Sequence, residues 1–156
     1  MGEKSENKNN LREAIIFTTW KGIDDYRALK NEFEKHLAKV LNPHFYIFLE
    51  NPKKITPDQL PSDANVFSAK DFNLFGKIKN GELNAGLKRY SSCVLLCSDI
   101  SAGKYVKKLI DATSCVLRIG FRNESLPNFD LAFQMDYPSR EKLFEQTEKY
   151  LNKIKL

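Results

Sequence analysis

The stretch SSCVLLCSDISAGKYVKKLIDATSCVLRIGFR, residues 91–122, decides the fold. Its first run, Cys93 to Cys97, is continuously apolar, as is typical of a strand that is covered on both faces. The middle segment spaces its apolar residues along one helical face: Tyr105, Val106, Leu109, Ile110 and Thr113. The third run, Cys115 to Phe121, is rich in apolar and β-branched residues and contains Gly120. Strand, helix and strand in about thirty residues predict a βαβ unit of a parallel sheet with a right-handed crossover.

The same patterns predict further elements on both sides of this unit. Strands are expected at Ala14–Thr19, Phe45–Leu49, Val66–Ser68 and, at an edge, Leu131–Met135. A short helix is expected over Glu82–Tyr90. We therefore predict an α/β protein: a three-layer Rossmann-like domain with a mostly parallel sheet of about five or six strands and helices on both faces. Residues 1–11 are expected to form a disordered polar tail, and residues 12–156 a single domain.

Two longer helices are predicted from apolar stripes. The first would end at Asn42-Pro43, because a proline disfavours helix in the residue before it. Its stripe comprises Tyr26, Leu29, Phe33, Leu37, Val40 and Leu41. The last helix would start at Ser139 as N-cap. Its stripe comprises Leu143, Phe144, Thr147, Tyr150, Leu151 and Ile154.

Composition and cysteine usage indicate a cytoplasmic protein. The N-terminus lacks the apolar segment of a signal peptide, and no apolar run reaches the length of a membrane helix. The 25 Lys and Arg against 20 Asp and Glu give a net charge of +5, which is too small to indicate a dedicated polyanion binder. Cys93 and Cys97 lie about 13 Å apart along one strand, so they cannot bridge each other. We predict that these two cysteines and Cys115 are all reduced and buried.

The block Lys70-Asp-Phe-Asn-Leu-Phe-Gly-Lys-Ile-Lys-Asn80 carries a resemblance to a known family. With the run Cys115–Phe121 and the closing helix, it resembles the uncharacterised Bacteroidetes proteins grouped as DUF6913, over roughly residues 15–153. Two features differ from that family: Ser92–Leu95 stands where members have Asp-Leu-Leu-Ile, and a polar tail replaces a basic amphipathic segment. The resemblance implies a bacterial protein, and it implies no activity, because none is assigned to the family.

Open parallel sheets bind ligands beyond the carboxyl ends of their strands, where the strand order reverses. This chain would gather eight candidate residues there: Thr18, Thr19, Trp20, Lys21, Ser98, Asp99, Gly120 and Arg122. Trp20 could stack on a ligand, while Lys21 and Arg122 could bind a phosphate or carboxylate. Gly120 is expected to need either a positive φ or room for a close neighbour. The alternative is that these are ordinary loop residues.

The block 71–79 supplies a secondary candidate loop, formed by Asp71, Asn73, Gly76 and Lys77. Gly76 would let the backbone approach a ligand and Lys77 would supply charge. In the alternative that we favour from sequence, the apolar residues of this block fill a gap in the core. Those residues are Phe72, Leu74 and Phe75.

Enzyme activity has no support in the sequence, because no phosphate-loop, metal-ligand or nucleophile motif is present. We therefore predict no catalytic residues and no metal, and we lean against an enzyme without naming a cofactor. The first hypothesis is a domain that binds a small anionic ligand, a nucleotide or sugar phosphate. The alternative is a protein-interaction or structural module, and the oligomeric state stays open. No membrane partner is expected. Weak nucleic-acid binding is the third and least favoured hypothesis; it rests on Lys77, Lys79, Lys88, Arg89, Lys104, Lys107 and Lys108 with Tyr90 and Tyr105.

Overall fold

A computed structural model describes residues 12–90, 92–98, 104–122 and 129–154. Within these ranges one parallel sheet contains six strands in the order β3-β2-β1-β4-β5-β6. The strands are β1 (Glu13–Thr19), β2 (Asn42–Leu49), β3 (Asn65–Ser68), β4 (Cys93–Cys97), β5 (Leu117–Phe121) and β6 (Leu131–Phe133). The predicted parallel sheet is confirmed, and its order is that of the Rossmann fold.

Helices cover both faces of the sheet, which confirms the three-layer prediction. They are α1 (Ile23–Leu37), α2 (Gly81–Leu87), α3 (Lys104–Ala112) and α4 (Arg140–Ile154), with short 3₁₀ turns at Pro52–Lys54, Pro57–Gln59 and Ala69–Asp71. The buried side chains of α1 and α4 belong to one core cluster, and those of α2 and α3 to the other. None of the helices in the described ranges has the length and apolar character that a membrane crossing requires.

Arg140 joins α4 to α1 beside an aromatic contact between the two helices. Its guanidinium donates to Glu32 at 2.9 Å and to Asp25 at 3.2 Å. Burial disfavours its charged form, but the two carboxylates outweigh this effect, and the pKa of Arg140 is raised. Phe33 and Phe144 meet edge to face with ring centroids 5.7 Å apart. The ion pairs of Arg140 and the contact between the two rings together hold α1 against α4.

The ends of three predicted segments lie outside the core. Val40 is exposed because α1 stops at Leu37 and the chain turns before β2. Val116 is exposed because β5 begins one residue later, and Ile154 is exposed at the last turn of α4. Ser139 does accept a hydrogen bond from the Lys142 amide, which confirms the predicted cap. The periodic patterns thus identified the elements and extended some of them too far.

The prediction of three reduced cysteines is wrong for two of them. Cys93 and Cys115 form a disulfide, with their Cα atoms 4.4 Å apart, and Cys97 is buried and takes no part in this disulfide. Cys93 starts β4, and Cys115 lies just before the neighbouring strand β5, where the Val116 amide donates to the Cys93 carbonyl. All three side chains are buried, as predicted. The spacing of cysteines along one strand does not reveal this pair, because Cys93 and Cys115 lie on neighbouring stretches of the sheet.

A lysine-lined cleft at the carboxyl edge of the sheet

The switch point lies between β1 and β4, where the strand order reverses. Thr18 and Thr19 end β1 and are buried. Ser98 follows β4, and both its amide and its hydroxyl donate to the Phe17 carbonyl, the hydroxyl at 2.8 Å. The structure therefore brings the ends of these two strands together. The predicted residue Asp99 lies outside the described residues.

The other switch-point candidates lie in separate surroundings. Trp20 is half-buried in the core beside α1, and its amide donates to the Phe48 carbonyl, whereas Lys21 is exposed. Gly120 lies in β5, and Arg122 is the residue that follows it. Because β4 lies between β1 and β5, these two residues are two strand spacings, about 10 Å, from the end of β1. Arg122 is exposed and donates to Gln134 at 2.9 Å.

The secondary candidate loop is a compact turn held by its own polar side chains. The Asp71 carboxylate accepts from the Ser68 amide at 2.8 Å and from the Asn80 side chain at 2.9 Å. The Asn73 side-chain oxygen accepts from two amides further along the turn, those of Phe75 and Lys77. Gly76 has a φ of 75°, in the left-handed region that favours glycine. Asp71 and Asn73 therefore use these side-chain oxygens to shape the loop.

The turn presents two apolar side chains to solvent. Phe72 is only 6% exposed and packs in the core, as predicted. Leu74 and Phe75 are 101% and 84% exposed, so the prediction that they fill a gap in the core is wrong. The physical reason is the turn itself, because the hydrogen bonds of Asn73 and the left-handed Gly76 place these two residues at its tip.

A cleft of about 720 Å³ separates this loop from α3, and we call it the carboxyl-edge cleft. Both of its walls follow the carboxyl end of a strand, since the loop follows β3 and α3 follows β4. The lining residues are Ala69, Phe72, Asn73, Leu74, Phe75, Gly76, Lys79, Lys104, Tyr105 and Lys108. Of the four residues in the predicted loop, Asn73 and Gly76 line the cleft, and Asp71 and Lys77 do not.

The charge of the carboxyl-edge cleft is one-sided. Lys79, Lys104 and Lys108 line it, and no other charged side chain is found among its described lining residues. None of the three lysines forms an ion pair with a residue in the described ranges. The Lys104 ammonium lies 5.2 Å from the centre of the Tyr105 ring, and that ring stacks on Phe48 at 5.9 Å. Three ammonium groups around one concave surface favour an anionic occupant.

Sequence reasoning did not assign Lys79, Lys104, Tyr105 and Lys108 to a ligand site; they entered only the nucleic-acid hypothesis. The available signal was the spacing of Lys104 and Lys108, one helical turn apart at the start of a helix that follows a buried strand. Across the described part of the chain, no group of three or more His, Cys, Asp or Glu side chains is placed to hold a metal ion.

Comparison with known proteins identifies a family for this chain. A family model described as a family of unknown function, DUF6913, matches residues 2–154. No curated protein and no solved structure shows significant similarity to the chain. Because the family model covers nearly all of the sequence, the chain belongs to the family of unknown function DUF6913.

Proposed function

We propose that this protein binds a small phosphate-bearing anion, such as a nucleotide or a sugar phosphate, in the carboxyl-edge cleft. The observation that carries the proposal is the set of three lysine side chains that line one cleft, with no carboxylate among the described residues of its lining. Its volume of about 720 Å³ lies in the range of small-molecule sites. Its place also follows the general rule that open parallel sheets bind ligands beyond the carboxyl ends of their strands.

The lining offers two kinds of contact. Lys104 and Lys108 lie on one side of α3, and Lys79 closes the other wall, so ammonium groups can reach phosphate oxygens from two directions. Tyr105 and Phe75 add aromatic surface that can pack against a base or a sugar. A nucleotide would use both kinds of contact, whereas inorganic phosphate would use only the first. The proposal includes no catalytic step, and the bacterial cytoplasm as location stays a prediction.

The double substitution Lys104→Ala and Lys108→Ala should weaken ligand binding by at least tenfold, because each charge-assisted hydrogen bond contributes about 1.5–3 kcal/mol. The measurement is isothermal titration calorimetry with ATP, ADP, AMP, glucose 6-phosphate and inorganic phosphate. The affinity should also fall as the salt concentration rises, since ammonium–phosphate attraction is screened.

Two matched variants control this experiment. Lys142→Ala removes an exposed lysine from α4, on the opposite face of the sheet, and should bind like the wild type. Arg122→Ala tests the switch-point location, and retained affinity there would agree with the carboxyl-edge cleft. The proposal is wrong if no compound in the panel binds, or if the double lysine variant binds as tightly as the wild type.

The exposed tip formed by Leu74 and Phe75 favours a second candidate function, a protein-interaction module. Two adjacent, largely exposed apolar side chains on a hydrogen-bonded turn are typical of a surface that a partner covers. Lys70 and Lys77 are exposed and lie before and after the tip in the sequence. A partner with an apolar pocket and an acidic rim would therefore fit it.

A photoreactive benzophenone in place of Phe75 should yield a discrete cross-linked product in cells, detected by mass spectrometry. The product should disappear with the additional substitution Leu74→Ser, because the partner would lose an apolar contact. The same probe in place of Tyr137, which is 86% exposed, is the control. Identical products from both positions, or no discrete product from position 75, would exclude this candidate function.

A further inference from the structure

A second cavity, of about 380 Å³, lies between α2 and the first half of β2. Its lining includes His44 and Tyr46 of β2, Asn65 at the start of β3, and Gly86 of α2. These positions near the starts of the strands place the cavity toward the amino edge of the sheet. It is therefore separate from the carboxyl-edge cleft, and the two share no lining residue.

The hydroxyl of Tyr46 lies in the wall of this cavity. The residue as a whole is only 4% exposed, so the cavity is where its hydroxyl can meet a ligand. Burial raises the pKa of this tyrosine, while the nearby charge of Arg89 acts in the opposite direction. A ligand oxygen in the cavity could accept a hydrogen bond from this phenol, and such a bond contributes about 0.5–1.5 kcal/mol.

Gly86 makes the space that this hydroxyl occupies. A Cβ atom at position 86 would lie 2.7 Å from the Tyr46 oxygen, so any other residue would displace the phenol or the helix. Glycine inside a helix costs about 1 kcal/mol relative to alanine. The short helix α2 nevertheless has glycine at this position, which keeps the Tyr46 hydroxyl in the cavity wall.

The charges around the cavity have opposite signs at its two ends. Glu82 lies in the first turn of α2 and Arg89 just beyond its last turn, about 10 Å away by helical rise. Neither forms an ion pair with another residue in the described ranges. The imidazole of His44, by contrast, is satisfied: its Nε2 donates to the Glu13 carboxylate at 2.7 Å, and its ring stacks on Tyr90. Glu82 and Arg89 are thus the charges left for a ligand.

We propose that this cavity binds a small zwitterion of amino-acid size, with its carboxylate at Arg89 and the Tyr46 hydroxyl and its ammonium group at Glu82. A purely anionic ligand would be repelled by Glu82, and a purely cationic one by Arg89. In the carboxyl-edge cleft, by contrast, the charged residues of the described lining are all lysines, which favours an anion over a zwitterion. The two cavities differ in the charges of their described lining residues, and the zwitterion proposal does not depend on the proposed function.

The test is a titration of the ¹⁵N-labelled protein, followed by NMR at the backbone amides of Gly86 and Tyr90. The probes are the unbranched ω-amino acids from glycine to 6-aminohexanoate, which vary the separation of the two charges. Hexanoate and hexylamine each carry one of the two charges. We expect saturable shifts with at least one zwitterion and at least tenfold weaker binding of both single-charge compounds, since each lost charge-assisted contact contributes about 1.5–3 kcal/mol.

The variant Tyr46→Phe should weaken binding of the best zwitterion by about threefold to tenfold, because it removes one hydrogen bond. Its melting temperature without ligand should stay close to that of the wild type, since the substitution leaves the buried ring of Tyr46 in the core. Tyr150→Phe changes a half-buried tyrosine of α4, away from this cavity. It should alter neither the affinity for the zwitterion nor the set of amides whose signals shift. The inference is overturned if no zwitterion shifts these amides, if hexanoate or hexylamine binds equally well, or if Tyr46→Phe binds like the wild type.

Discussion

We expect the double substitution Cys93→Ala and Cys115→Ala to lower the free energy of unfolding by about 3 kcal/mol. The disulfide closes a loop with a sequence separation of 22 residues and joins the first residue of β4 to the chain just before β5. Without it, the unfolded chain gains the conformational freedom of that loop, and the native state loses a link between two central strands. Urea unfolding followed by circular dichroism measures the difference between the oxidised wild type and the double variant.

Two controls separate the cross-link from ordinary packing. Cys97→Ala removes the buried thiol outside the disulfide and leaves the disulfide intact, so it should cost less, about 1 kcal/mol. Reduction of the wild type with dithiothreitol should lower its stability toward that of the double variant. Thiol titration of the unreduced protein in denaturant should find one free thiol, and a count of three would contradict the disulfide.

The fold could be predicted because the sheet is buried on both faces. Continuous apolar runs such as Cys93–Cys97 and Ala14–Phe17 identify central strands of a parallel sheet, and helical spacing between such runs identifies the crossovers. The position of Cys115 relative to Cys93 could not be predicted in the same way. It depends on the register between two strands, and that register is set by tertiary packing that the spacing along one strand does not report.

The candidate site was predicted only in part, because side-chain direction at a turn depends on hydrogen bonds within that turn. The block 71–79 was identified as unusual, but its pattern did not show that Asn73 would place Leu74 and Phe75 at an exposed tip. The carboxyl-edge cleft also needs Lys79 and Lys104, which are far apart in the sequence and come together only when α3 packs beside the loop. The sequence therefore predicted the carboxyl edge of the sheet as the place of a site, whereas the grouping of Lys79, Lys104 and Lys108 is seen only in the structure.

The substitution Gly120→Val should destabilise the protein by about 1–3 kcal/mol, as expected for overpacking of a filled site. A Cβ atom at position 120 would lie 2.6 Å from two ring atoms of Phe129, closer than any real contact. Of the two reasons that the sequence suggested for this glycine, the close neighbour is confirmed and the positive φ is not. Among the described glycines only Gly22 and Gly76 have positive φ. Chemical denaturation of the variant measures the effect.

A double-mutant cycle with Phe129→Leu shows whether the ring is the cause. The smaller leucine side chain should relieve the clash, so Gly120→Val should cost less in the Phe129→Leu background than in the wild type. Arg122→Ala, two residues further along, removes an exposed contact to Gln134 and should stay within about 0.5 kcal/mol of the wild type. Equal costs of Gly120→Val in both backgrounds would contradict the close-packing explanation. A smaller cost with Phe129→Leu would instead mean that glycine is required at the end of β5 because the aromatic ring covers the strand there.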